Sequence, residues 1–310
     1  MKITEVAAAV ILRADGQFLL GQRAPDTFYP GYWEFPGGKV EVGETPYQAL
    51  CRELHEELEI EVLAASPWIV REHVYEHAHV RLHFFRVTAW QGELRDHVHA
   101  ALAWQSAEAL TVAPMLPANA PVLAALQLPP WYGISHAWQI GIAAQLAALD
   151  QALLRGLQLV QLREGALPEG QRESFVSAAV PRCQQHGARV LVNGDAQLAR
   201  ACGADGLHLP AQQLMVLDRR PPFPLVAASC HDRHELEHAA RIGCDFAVLG
   251  PVNQTASHPG QPGMGWPAFG AQVAGLPLPV YAIGGLGISD LSAACTAGAH
   301  GIAAIRAAWA

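Results

Sequence analysis

Glu53, Glu56 and Glu57 stand at i, i+3 and i+4 in the stretch Arg52-Glu53-Leu54-His55-Glu56-Glu57. At helical pitch these three carboxylates share one face. Like charges so placed repel by roughly 0.2–0.5 kcal/mol per pair on an exposed helix. A divalent cation turns that cost into affinity, because hard cations take carboxylate oxygens. A solvated acidic face is the plain alternative, and the neighbouring residues weigh against it. Ala49, Leu50, Leu54 and Leu58 recur at helical spacing and predict a buried stripe on the other side. Thr45-Pro46-Tyr47-Gln48 reads as a helix start, with Thr45 as N-cap, Pro46 at the first helical position and Gln48 closing a capping box. Gly37-Gly38, ahead of the helix, permits a tight turn and a close approach of backbone to a ligand.

The chain that must position this helix has 310 residues, which favours two domains, and 51% hydrophobic residues, enough for sizeable cores. A net charge of -8 argues against a nucleic-acid backbone binder. The six cysteines are scattered without a C-x-x-C pair and read as buried reduced thiols. The first residues, "MKITEVAAAVILRADGQFLLGQR", do not read as a signal peptide, and no apolar run is long enough to span a membrane. A cytoplasmic protein is expected. Strands are expected at 4–12, 17–23, 68–76 and 79–90, and "LQLPPWYGIS" as a linker. In "REHVYEHAHVRLHFF", Arg71, His73, Tyr75, His77, His79, Arg81 and His83 share one parity, a wet sheet face rather than a zinc site at His77 and His79. Beyond the linker, eight short apolar runs alternate with helical segments: "YGISHA", "LQLVQLRE", "ARVLVNG", "DGLHLP", "PLVAASC", "FAVLGP", "PVYAIGG" and "GIAAIRA". That rhythm predicts a parallel (β/α)8 barrel, compact at roughly 180 residues against the ~250 typical of the fold. The expected organisation is therefore α/β throughout, with one domain over 1–128 and a TIM barrel over 129–310.

Taken together, Gly38, Glu44, Arg52-Glu53, Glu56-Glu57 and Ile60 fit the spacing G-x5-E-x7-R-E-U-x-E-E-x-G-U, with U aliphatic, and depart from it only at Glu59, where a second glycine is usual. The first domain thereby resembles the Nudix hydrolases, in particular the MutT-type branch of 8-oxo-dGTP diphosphatases. "QRAPDTFYPGYWEFPGGKVEVGETP" and "PANAPVLAAL" extend the likeness along the domain. The resemblance implies an α/β/α sandwich around a mixed sheet. It implies Mg²⁺- or Mn²⁺-dependent attack of water on a nucleoside triphosphate, releasing pyrophosphate. It assigns metal binding to Gly38, Glu53, Glu56 and Glu57, and catalytic duty to the same glutamates and Arg52. Arg52 is expected to hold a glutamate in place, and Glu44 to support the site from behind. Arg23, Phe35 and Asn119 are expected to meet the substrate. One residue of the branch is missing. A glutamate usual in the loop before the last strand falls at Val98 here, and Asp96, His97 and His99 are the candidates to replace it.

The second domain resembles the thiamine-phosphate synthase / thiazole tautomerase superfamily through "VQLREG", "LVNGD", "ADGLHLPAQQL", "AASCHD", "FAVLGPVNQTASHPG" and "YAIGGLG". The resemblance implies a phosphorylated ligand held by Gly284, Gly285, Ile305 and Arg306. The synthase parts look eroded. Gly165 replaces a lysine, Asn193-Gly194 an Asn-Asp pair with Asp195 shifted by one, and "HLPAQQL" lacks an aspartate. A second lysine is absent from "TASHPG", where His258 is nearest. Three functions stay open: a hydrolase that cleans 8-oxo-dGTP from the nucleotide pool, a thiamine-pathway pyrophosphate hydrolase, and a ligand sensor with a vestigial Nudix site.

Overall fold

A computed structural model describes residues 2–254 and 262–310. The chain divides into two compact units. One comprises Met1–Gln127 with Ala274–Pro277, the other Leu128–Val273 with Leu278–Ala310.

In the first unit β1 (Ile3–Ile11), β2 (Phe18–Gln22), β3 (Trp33–Glu34) and β4 (Gly37–Lys39) precede α1 (Pro46–Leu58). After it come β5 (Glu61–Val74), β6 (His79–Gln91), β7 (Ala101–Gln105) and α2 (Ala120–Leu126). One sheet has the order β4-β1-β6-β5 and the other β3-β2-β7. Only β1 and β6 run parallel, so the first sheet is mixed. The alternation of β1 explains the layering. Ala7, Ala9 and Ile11 pack under Leu50, Leu54 and Leu58 of α1, while Ala8 and Val10 face Val122 and Ala125 of α2. Helices thus cover both faces. The predicted stripe Ala49, Leu50, Leu54 and Leu58 is the buried face of α1, each leucine contributing about 2 kcal/mol by leaving water. Its capping box forms as expected, with the Gln48 N–H donating to Thr45 Oγ1 and the Thr45 N–H to Gln48 Oε1.

The second unit is a closed barrel of parallel strands, and all eight apolar runs are its staves. These are β8 (Trp131–Ile134), β9 (Leu159–Leu162), β10 (Arg189–Asn193), β11 (Gly206–Leu209), β12 (Leu225–Cys230), β13 (Phe246–Leu249), β14 (Val280–Ile283) and β15 (Gly301–Ala304). Apolar residues such as Ile134, Leu191, Ala227, Phe246 and Ala303 fill its interior. A polar chain runs among them. Gln161 Nε2 donates to the Tyr132 hydroxyl, which bonds His208 Nδ1, and His208 Nε2 meets Ser229 Oγ. Burial pushes the pKa of His208 down to about 3, so the ring is neutral and the network carries no charge.

All six cysteines are free thiols, and burial raises the pKa of Cys183, Cys230 and Cys244. Among the described residues, no helix is long and apolar enough to cross a membrane.

Candidate active site

Gly37 and Gly38 lie on β4, which pairs antiparallel with β1 and faces α1. The two glycines have different reasons. At Gly37 the backbone is left-handed (φ +139°), and a Cβ would sit 2.2 Å from the Ala7 carbonyl oxygen. At Gly38 a Cβ would sit 2.3 Å from the Glu53 carboxyl group. The absent side chain of Gly38 is therefore the seat of Glu53. Glu57 completes the pair, with its Oε2 accepting from the Gly37 N–H at 3.1 Å. Of the three predicted carboxylates, Glu53 and Glu57 turn toward the glycines, while Glu56 lies on the exposed rim. Arg52 bonds to three carboxylates. Its Nη1 donates to Glu53 at 2.9 Å and to Glu56 at 3.2 Å, while Nε and Nη2 form a fork on Glu44. Those bonds hold the Glu44 carboxyl down at about 2, and Glu44 also accepts from the Glu41 N–H. A cleft of about 790 Å³ opens beside this group, lined by Gly38, Lys39, Val40, Glu41, Val42 and Glu53.

Glu57 is the electrostatic focus. Burial first, and then the charge of Glu53, with smaller effects of Glu34 and Asp96, push its pKa up to about 8. Among the described residues, no three His, Cys, Asp or Glu side chains converge on one point as a ready metal cage. The donor set nevertheless suits a hard divalent cation: two half-buried carboxylates that repel each other, beside a backbone stripped of Cβ atoms. A cation there would offset both effects that raise the Glu57 pKa, its burial and the charge of Glu53.

Glu59 takes the place of the usual helix-ending glycine and still adopts the left-handed cap conformation (φ 55°, ψ 31°). A non-glycine residue so held costs on the order of 1 kcal/mol. Its carboxylate is tied at 2.7 Å to His97 and at 3.3 Å to Arg95, both in the loop from Gly92 to Ala100.

The other expected substrate residues divide. Arg23 Nη1 donates to Glu34 at 2.6 Å and Nε to the Phe28 carbonyl, so it organises the loop after β2. It also lines a cavity of about 370 Å³ with Asp26, Thr27 and Phe28. Phe35 corrects the expectation of a cleft residue. Its ring is 4% exposed and packs on Phe18 and Phe84 in the core, because the chain between β3 and β4 turns that position inward. Asn119 makes no capping bond at the start of α2. It is buried, with Nδ2 at 3.5 Å from the Trp33 carbonyl. The polar parity of the hairpin also splits. His79, Arg81 and His83 pair with Glu72 and Glu5. His77 instead stacks on Phe28, ring centroids 4.2 Å apart, with Tyr29 and Tyr75 alongside. Sequence reading missed this aromatic group beside Arg23. Phe28 and Tyr29 carry no periodic signal, and only the parity of Tyr75 and His77 hinted at it.

In the barrel, Gly284 (φ +118°) and Gly285 (φ +63°) follow β14, while Ile305 and Arg306 follow the adjacent β15. All four residues stand at the C-terminal ends of neighbouring strands, where barrel sites are built. Asp195 is engaged elsewhere. It caps the helix Ala196–Ala201 through the Leu198 N–H and pairs with Arg172 at 3.4 Å. Gly194 is left-handed (φ +73°), and Gly165 lies exposed in the loop after β9. His258 lies outside the described residues.

A family model for the NUDIX domain matches residues 2–126, and one for thiamine monophosphate synthase matches residues 131–308. The chain is 44% identical over 125 residues to the CTP pyrophosphohydrolase of Escherichia coli, covering 40% of this chain and 92% of that protein. It is 34% identical over 181 residues to a putative thiamine-phosphate synthase of Geobacter sulfurreducens, covering 57% of this chain and 84% of that one. The chain belongs to both families. Among solved structures, a MutT Nudix hydrolase from Burkholderia pseudomallei shares 32% identity over 40% of this chain and 97% of its own, with a TM-score of 0.36.

The raised pKa of Glu57 gives the Nudix unit a testable pH dependence. Between about 4.5 and about 8 the folded carboxyl keeps a proton that the unfolded chain has lost. Stability from this group is full below that window and falls as pH rises through it. In metal-free buffer, the melting temperature of the full chain is expected to decline from pH 5 to pH 8 more steeply than that of Glu57→Gln. Parallel profiles in thermal melts would show that Glu57 is not the proton-holding group.

Proposed function

We propose that the Nudix unit is a Mg²⁺- or Mn²⁺-dependent nucleoside triphosphate pyrophosphohydrolase acting on 8-oxo-dGTP. The observation that carries the reading is the seating of Glu53 on Gly38, with Glu57 beside it and Arg52 bracing from behind. Glu53, Glu57 and the Gly38 carbonyl would hold the cation, with Glu56 at the rim. When bound, that ion offsets the triphosphate charge and acidifies a water molecule. The protein's own part is positional. Arg52 fixes the Glu53 rotamer through a charge-assisted bond, and Glu44 fixes Arg52. Water attacks phosphorus, a bridging P–O bond breaks, and the nucleoside monophosphate and pyrophosphate leave.

Reading of the base is assigned to Asn119, together with Arg23 and the stacked Phe28–His77 pair. The buried amide of Asn119 offers both a donor and an acceptor. 8-Oxoguanine differs from guanine in gaining a donor at N7 and a carbonyl at C8, and a polar pocket built for one edge rejects the other. kcat/KM is expected to favour 8-oxo-dGTP over dGTP, mainly through KM, and Asn119→Ala to shrink the preference more than tenfold, about 1.4 kcal/mol. Steady-state kinetics on both nucleotides decide this, and equal efficiency in the wild type would remove the reading. The 44% identity to a CTP pyrophosphohydrolase supports a second reading, in which cytidine is the base. CTP belongs in the same assay, and a higher kcat/KM for CTP would install that reading.

For the barrel the reading is a binding module for a phosphorylated small molecule. Gly284 and Gly285 supply backbone N–H groups and Arg306 a cation. Nothing in the sequence signature replaces the lysine and aspartate that synthase chemistry uses. This supports binding without thiamine phosphate synthesis.

A further inference from the structure

His136 follows β8, the barrel strand that lies between β15 and β9. Tyr132 and Ile134 of β8 face the barrel interior, and the two-residue alternation carries His136 to the same side, at the mouth. β8 pairs with β15 with Gly133 opposite Ala304, so Ser135 and His136 leave the barrel beside Ile305 and Arg306. The main chain is tightly held here. The Ser135 hydroxyl donates to Glu164 Oε1 at 2.6 Å, and the Ala137 and Trp138 N–H groups donate to the same carboxylate. The His136 N–H donates at 2.9 Å to Oε1 of Gln145, from the helix Ile142–Leu154. The imidazole lies against that amide, whose oxygen is already taken. His136 is 7% exposed, and neither its Nδ1 nor Gln145 Nε2 has a hydrogen-bond partner. Buried polar atoms are ordinarily paired, and an orphan beside a ligand site points to the bound state. Two charged groups face the ring, Glu164 from the loop after β9 and Arg306 from the end of β15. Arg163, next to Glu164 in the chain, acts on His208 instead. Burial, the largest effect, and the charge of Arg306 hold the His136 pKa below the ordinary histidine value, against the pull of Glu164. Arg306 itself is exposed, and its guanidinium makes no hydrogen bond among the described residues.

We propose that His136 is a further binding residue of the barrel's anion site, and that it takes up a proton when a phosphate or phosphomonoester dianion binds at Arg306. The inference rests on the reading of Gly284, Gly285 and Arg306 as a phosphate site. In the free protein the guanidinium opposes a second cation. A bound dianion cancels that opposition and adds an attraction of its own. The proton comes from solvent and goes to the ring, and no covalent bond of the ligand changes. The neutral ring thus becomes an imidazolium, with both nitrogens as donors, only when there is an anion to pair with. A lysine or arginine at this position would be charged at all times beside Arg306, which gives the histidine its use. The complex binds more protons than the free protein. Affinity is therefore highest at low pH and falls as pH rises through the raised histidine pKa of the complex.

The test is calorimetric titration of the full chain with inorganic sulfate in metal-free buffer. Sulfate stays a dianion from about pH 5 to about pH 8, the range in which histidine titrates, so a proton taken up belongs to the protein. Heats measured at one pH in two buffers of different ionisation enthalpy count those protons. The wild type is expected to take up a proton with the anion and to lose affinity at least about fivefold between pH 6 and pH 8. His136→Gln keeps an amide donor and cannot charge. It is expected to bind sulfate without proton uptake and with a nearly flat pH profile. Arg306→Ala is expected to weaken binding at every pH. Binding that is lost in Arg306→Ala but brings no proton in the wild type would overturn the role of His136 and leave the phosphate site standing. Proton uptake that persists in His136→Gln would do the same. Wild-type affinity in Arg306→Ala would overturn the two readings together.

Discussion

Glu53→Gln is expected to slow pyrophosphate release by at least about a hundredfold, the scale on which a lost catalytic charge acts. The substitution is chosen because the seat of Glu53 is a matter of shape as well as charge. Glutamine fills the space over Gly38 and still accepts a hydrogen bond from Arg52 Nη1. The melting temperature should therefore change little, and any loss of rate reports the missing charge. A side chain that merely decorated a solvated helix would show no such effect. Steady-state rates on 8-oxo-dGTP and CTP at saturating Mg²⁺ check the expectation, and full activity in this variant would sink the assignment of the site.

The barrel is expected to make no thiamine phosphate, an all-or-none effect. Release of a pyrophosphate leaving group demands that its charge be met as it forms. The family pattern offers a lysine and a carboxylate that could hold a metal for this, and the corresponding positions here are glycines, Gly165 and Gly194. Asp195 is no substitute. Its Oδ1 accepts from the Leu198 N–H at 2.9 Å, and Oδ2 faces Arg172. Moving it would uncap a helix, at about 1 kcal/mol. The check is growth without thiamine of a strain lacking thiamine-phosphate synthase and carrying the full chain. Robust growth would refute the expectation. Calorimetric titration of the full chain with inorganic phosphate tests the binding role separately, with Arg306→Ala expected to weaken it.

What could be read in advance followed from periodicity and spacing. The capping box, the leucine stripe and the glutamates of α1 are local patterns, and a helix realises local patterns directly. The eight barrel strands were legible because each is a short apolar run between helices, buried on both faces. The strands β3 and β4, two and three residues long, and the five-residue β7 carried too little pattern to be seen. β5 begins at Glu61, earlier than its alternation suggested, because register shifts between Val62 and Val70 scramble the period. The inward turn of Phe35 depends on the irregular link between β3 and β4, where parity predicts nothing. The loop from Gly92 to Ala100 was legible only as a gap in the family pattern. Its conformation depends on bonds to Leu58, Glu57 and Glu59, residues more than thirty positions away.

The first unit is expected to cleave a nucleoside triphosphate into monophosphate and pyrophosphate with the help of a divalent cation. The most direct measurement is phosphorus NMR of the purified full chain with 8-oxo-dGTP or CTP, run with Mg²⁺ and again with a chelator. Pyrophosphate and nucleoside monophosphate are expected to grow together in equal amounts with Mg²⁺, and the triphosphate to stay unchanged with the chelator. Release of single phosphate to leave a diphosphate, or turnover that ignores the chelator, would contradict it.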